Sequence, residues 1–140
     1  METTLKLSKN FYLSEFTDSK TASLRGIDNT PGDKEVLALQ ALVSVVLQPL
    51  RDELNCPIKI NSGYRSEELN AAVKGKETSQ HLRGEAADIV PLTGITNVVD
   101  ALNERGIVFD QCLIYPRRGF IHLSFNRFRD NRLQVRWMQV

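Results

Sequence analysis

From Val36 to Leu54, apolar side chains return every third or fourth residue, at Val36, Leu39, Val43, Val46, Leu47, Leu50 and Leu54. That period winds them onto one side of an α-helix, and nothing else in the chain constrains the fold as strongly. Such a helix needs a facing layer to bury its stripe. The loop Asn29-Thr30-Pro31-Gly32-Asp33 marks its start. Pro49 falls inside the pattern, where its missing N–H and bulky ring should kink the helix or end its first part.

The remaining segments are short. Phe11, Leu13 and Phe16 around Ser14-Glu15 read as a short N-capped helical turn. Ile58-Lys59-Ile60 alternates like a half-buried strand. A short helix over Glu67 to Val73 follows, with Ser66 as its N-cap, and then a polar loop from Lys74 to Gln80. Ala86 to Val90 reads as a buried strand, and Thr96 to Glu104 as an amphipathic helix closed by Gly106. Three strand candidates end the chain: Val108 to Tyr115, Phe120 to Phe125 and Leu133 to Met138. Helices first and clustered strands later predict an α+β protein, with a small, mainly antiparallel sheet and helices packed on it.

At 140 residues, one domain spanning 1–140 can bury a core without disulfide staples. Cys56 and Cys112 belong to no C-x-x-C or C-x-x-H pattern and sit in or beside apolar runs, so they are expected as buried thiols. A net charge of +1 gives no broad attraction to nucleic acid or an anionic membrane. Arg127, Arg129, Arg132 and Arg136 cluster late, but Asp130 interrupts them and a solvated surface is expected. No stretch approaches the roughly 18 apolar residues of a membrane span. Residues Met1 to Asn10 lack an apolar leader core, so no signal peptide is expected. The chain reads as cytoplasmic when synthesised, and as a monomer.

Chemistry concentrates around the two histidines. Asp88 lies seven residues after His81, flanked by Ala86, Ala87, Ile89 and Val90, and a carboxylate buried there needs a partner or a cation. His122 shares a strand face with Phe120 and Ser124, opposite Ile121, Leu123 and Phe125. Two imidazoles and a carboxylate suit zinc, with a fourth position left to water as in catalytic sites. Spacing alone does not single them out, since isolated histidines more often satisfy a core hydrogen bond.

The surrounding pattern does. Ser79-Gln80-His81-Leu82-Arg83-Gly84-Glu85-Ala86-Ala87-Asp88 reads S-x-H-x-x-G-x-A-x-D. It resembles the metal-binding signature of the D-alanyl-D-alanine zinc carboxypeptidase family, whose fold is shared with the hedgehog signalling domain. Ser62-Gly63-Tyr64-Arg65-Ser66 and Phe120-Ile121-His122-Leu123-Ser124 are similar to two further blocks of that family, in the same order. Together the blocks span roughly half the chain, and the leading helical half with Asn29-Thr30-Pro31 is similar to small bacterial and phage members. The resemblance implies a hedgehog-like fold with His81, Asp88 and His122 as ligands to Zn2+. It further implies that Arg65 binds a substrate carboxylate or the developing oxyanion, its planar fork suiting both. Ser79 is expected to hydrogen-bond the backbone or a ligand and is a candidate substrate contact, and Gly84 to let backbone approach the site closely.

One departure affects the mechanism. Many relatives carry an acidic base three residues before the last ligand, or a histidine two before it, where this chain has Gly119 and Phe120. The run Tyr115-Pro116-Arg117 resembles a subgroup with Y-P-R at that place. Asp110 is a candidate base, though capping a neighbouring loop would explain it equally; Glu85 is a second candidate. The resemblance implies a zinc peptidase that hydrolyses amide bonds in peptidoglycan stem peptides or crosslinks, as a carboxypeptidase or an endopeptidase. Its substrate would be reached by a route the chain does not encode, for example phage lysis. The alternative is a non-catalytic module on the same fold that binds wall peptides.

Overall fold

The computed structural model describes residues 5–140; the first four residues of the segment searched for a leader lie outside them. The chain opens with a two-stranded ribbon, β1 (Lys6–Ser8) and β2 (Phe11–Tyr12), followed by α1 (Leu13–Thr17) and α2 (Lys20–Arg25). The expected helical turn is α1, but its cap is Tyr12 rather than Ser14: the Tyr12 N–H donates to the Glu15 carboxylate at 2.8 Å.

The long apolar stripe forms three consecutive pieces. These are α3 (Asp33–Leu42), a π-helical turn (Val43–Leu47) and α4 (Gln48–Leu54). Pro49 neither ends the helix nor breaks its stripe. The wider turn lies directly upstream, with the Gln48 N–H donating to the Val43 carbonyl, so one extra residue is absorbed where proline disturbs the α-helical ladder. Leu39, Val43, Val46, Leu47 and Leu50 are all fully buried, as the stripe requires.

β3 (Ile58–Ser62), α5 (Glu67–Ala72), a 3₁₀ turn (Gln80–Arg83), β4 (Ala86–Pro91), α6 (Val98–Arg105), β5 (Gln111–Tyr115), β6 (Phe120–Ser124) and β7 (Gln134–Trp137) complete the chain. The expected caps form: Ser66 Oγ accepts the Leu69 N–H, and Gly106 closes α6 at a φ of 62°. The larger sheet has the order β3-β4-β6-β5-β7. All its pairs are antiparallel except β5 with β7. It is an α+β fold.

One face of the sheet carries Ile58, Ala87, Ile89, Ile121, Leu123, Cys112 and Ile114 into a core shared with α3, the π turn, α4 and α6. Both cysteines are buried free thiols, and burial pushes the Cys112 thiol up to about 12. The opposite face holds a row running across the strands. Ser62 pairs with Asp88, Asp88 with His122, and His122 with Leu113. Pairing partners stand side by side on one face, so this register alone places Asp88 beside His122. A register shift in β3 between Ile60 and Ser62 brings Ser62 into the row, as bulges beside functional sites do.

Candidate metal centre

His81 reaches this row from a separate element. Its 3₁₀ turn is capped by Ser79, whose Oγ accepts the His81 N–H at 3.2 Å, and is closed by Gly84 at a φ of 72°. A Cβ on Gly84 would lie 2.5 Å from the Glu35 carbonyl oxygen. The glycine therefore presses the turn onto α3, and the close approach expected at the metal is made to this helix instead. The buried His81 ring faces Gly63, whose carbonyl oxygen is 2.6 Å from Nδ1. A carbonyl can only accept, so Nδ1 carries the proton and Nε2 turns its lone pair towards Asp88.

The three side chains meet. His81 Nε2 lies 3.3 Å from Asp88 Oδ1, and His122 Nδ1 lies 3.0 Å from the same oxygen. One donor atom from each of the three falls within 4.8 Å of the others. A tetrahedral zinc with bonds near 2.0–2.2 Å separates its donors by roughly 3.3 Å, so the set is already close to the spacing an ion needs. Burial pushes the Asp88 pKa up, but the hydrogen bond from His122 and the influence of the adjoining His81 ring outweigh it and hold the carboxyl well below the usual range. The group that could hold an ion is thus two imidazoles and an ionised carboxylate, with one imidazole oriented through a backbone carbonyl as metal-binding histidines commonly are.

Arg65 borders the cluster. Its Nη2 is 3.8 Å from Asp88 Oδ2, Nη1 donates to Asn70 Oδ1 at 3.1 Å, and Nε donates to Ser62 Oγ at 3.3 Å. Its backbone N–H donates to the His81 carbonyl at 3.1 Å, which ties the Arg65 loop to the ligand turn. Burial lowers the pKa of this guanidinium, and Asp88 pulls against that shift. The cluster lies in a cleft of about 780 Å3 whose walls carry Lys76, Arg118, Arg129 and Arg132 as well as Arg65. Tyr115 and Phe120 stack on that wall with ring centroids 4.5 Å apart.

The two carboxylates considered as bases are both already engaged. Asp110 lines the cleft but is fully buried, and Arg132 claims both its oxygens. The Arg132 backbone N–H and Nε donate to Oδ1 at 3.0 and 2.9 Å, and Nη2 donates to Oδ2 at 2.7 Å. These bonds lower its pKa to about 2. A carboxylate so held is a poor proton acceptor; it fastens the segment before β7, the loop-capping role that the sequence left open. Glu85 is likewise engaged, accepting from Arg83 Nε and Arg129 Nη2, both at 3.0 Å. Arg129, Arg132 and Arg136 are exposed, as expected of a solvated face, and Arg129 and Arg132 also pair with Glu85 and Asp110.

Sequence reasoning did not single out Asn70, which steers Arg65 from α5, or the Gly63 carbonyl behind His81. Gly63 lay within a quoted motif, whereas nothing local marks Asn70.

The fold and this cluster define a class: an α+β protein with a His-Asp-His group that could hold a metal ion in a cation-lined cleft. A family model for Peptidase M15 matches residues 9–124, which include every residue of the cluster. The chain belongs to the Peptidase M15 family, and so to the metallopeptidases. A search of curated proteins finds no match.

Proposed function

We propose that the chain, as one domain over residues 1–140, is a zinc-dependent peptidase. It hydrolyses amide bonds in the stem peptides or crosslinks of peptidoglycan. The convergence of His81, Asp88 and His122 beside Arg65 carries this reading. Zinc bound there would lower the pKa of a water molecule and polarise the scissile carbonyl.

The protein's own groups supply the rest. Gly63 keeps the His81 proton on Nδ1, so Nε2 stays open as a ligand. Arg65, steadied by Ser62 and Asn70, offers a fixed fork to a peptide carboxylate or to the oxyanion that forms as the carbonyl is attacked. Ser79 stands on the same wall, where it meets the substrate as well as capping the ligand turn. Wall peptides bear free carboxylates, which the arginines and Lys76 of this cleft attract. Asp110 and Glu85 have no part in proton transfer under this reading, because arginines hold both.

The test is an assay of the purified protein with zinc on cross-linked muropeptides and on free stem peptides. Release of new amino groups, lost on chelation, supports hydrolysis. Products from the two substrates separate an endopeptidase from a carboxypeptidase. Binding without release would leave the non-catalytic module as the better reading.

A further inference from the structure

A second and larger cleft, of about 1100 Å3, lies between α2, the loop around Asn29 and the connection from β3 to α5. It adjoins the metal cleft, because Arg65 lines both. Gly63, whose carbonyl orients His81, lines it too. A polymer lying in one cleft therefore meets the other across a single side chain.

The two clefts differ in chemistry. Cations dominate the metal cleft. In the second, Asp18 and Lys20 offset each other, and Arg65 at the shared border is the only other charged residue among the described lining residues. Its remaining polar groups are hydroxyls and amides, among them Thr17, Thr21, Ser23, Thr30 and Asn61. Ile27, Pro31 and Val73 add apolar surface, and Tyr64 a half-buried aromatic ring. An acidic peptide gains little from such walls. A neutral ligand rich in hydroxyl and amide groups, with an apolar face to lay on a ring, matches them. N-acetylated amino sugars have that chemistry.

We infer that the second cleft binds the N-acetylated amino-sugar chain from which a wall stem peptide branches, while the metal cleft takes the peptide. The inference rests on the wall-peptide reading above. Arg65 lies on the border between the two clefts.

The experiment is an NMR titration of the whole protein with a soluble tetramer of N-acetylglucosamine, beside turnover measured on sugar-linked and sugar-free stem peptides. The tetramer should shift the amide signals of Thr17 to Ser23 and of Thr30. Thr21→Arg, which adds bulk and charge to the cleft wall, should weaken its binding about tenfold or more, equivalent to roughly 1.4 kcal/mol. The same change should lower the ratio of sugar-linked to sugar-free turnover. Ser23 is exposed on α2, so Ser23→Arg serves if Thr21→Arg fails to fold. No shift at millimolar tetramer, shifts confined to the Tyr115–Phe120 stack, or folded variants that bind like the parent would each overturn the inference. Failure to cleave either peptide would sink the peptidase reading instead, and the titration would still decide the cleft.

Discussion

Asp88 answers to three neighbours at once: His81, His122 and Arg65. A carboxylate at that depth is stable only because each neighbour returns part of its lost hydration. Under the proposed function the same neighbours divide the tasks of the site, two as co-ligands and one as an anchor for substrate. Arg65→Ala is predicted to raise KM by roughly 10- to 100-fold, about 1.5–3 kcal/mol for a lost charged hydrogen bond, while zinc content stays at the parent level. Steady-state kinetics with metal analysis checks this, and an unchanged KM would remove Arg65 from substrate binding. Asp110 gives a pH prediction. Its folded pKa is about 2, below the roughly 3.9 of an unfolded Asp, so its stabilisation is present above pH 4 and lost as pH falls towards 2. Asp110→Asn should cost up to about 2 kcal/mol at neutral pH, and denaturant curves of the two proteins should converge in acid. Parallel curves over that range would show that the Arg132 pair contributes nothing. The three members of the His81, Asp88 and His122 group were legible from residue type and motif. The fate of Asp110 was not, because its partner lies twenty-two positions on, in a loop whose path no local pattern specifies.

At the scale of elements, the 3₁₀ turn holding His81 depends on its surroundings. Four residues make too little hydrogen bonding to stand alone, so Ser79, Gly84 and the Arg65 N–H hold it in place. Gly84→Ala is predicted to destabilise the protein by roughly 1–3 kcal/mol, since it adds a side chain at positive φ against the Glu35 carbonyl. It should also weaken zinc binding by moving His81. Urea unfolding and a zinc titration read the two effects, and a variant as stable as its parent would show that α3 yields at no cost. The stripe from Val36 to Leu54 shows the other extreme. It predicts its own burial so strongly that Pro49 changes only the local winding, because apolar burial over several turns outweighs one lost hydrogen bond.

For the molecule as a whole, the core and the metal cluster occupy opposite faces of one sheet. The core joins α3, α4 and α6 to β3, β4, β5 and β6 without using a ligand residue. The protein should therefore fold without metal, and zinc should add stability only through binding. At a hundredfold excess over its dissociation constant zinc is predicted to add about 2.7 kcal/mol, a rise of several degrees in Tm. His122→Ala should abolish that rise and the bound metal while keeping a cooperative transition. A metal-free protein with no thermal transition would contradict this separation of core from site, and an intact shift in the variant would exclude His122 as a ligand. Among the described residues no helix is long and apolar enough to cross a membrane.

Local chemistry is written in the sequence: the helical period of the stripe, the alternation of β6, the cap at Ser66, and the residue types of a zinc set within a recognisable pattern. Each depends on neighbours a few positions away, so order along the chain is enough to read it. Tertiary packing alone decided which side chains touch across distance. The register of β4 against β6 set Asp88 beside His122, α3 held the His81 turn against that pair, and the chain's return before β7 brought Arg132 onto Asp110. Those outcomes come from close-packed surfaces meeting in three dimensions, and no one-dimensional spacing encodes such a meeting.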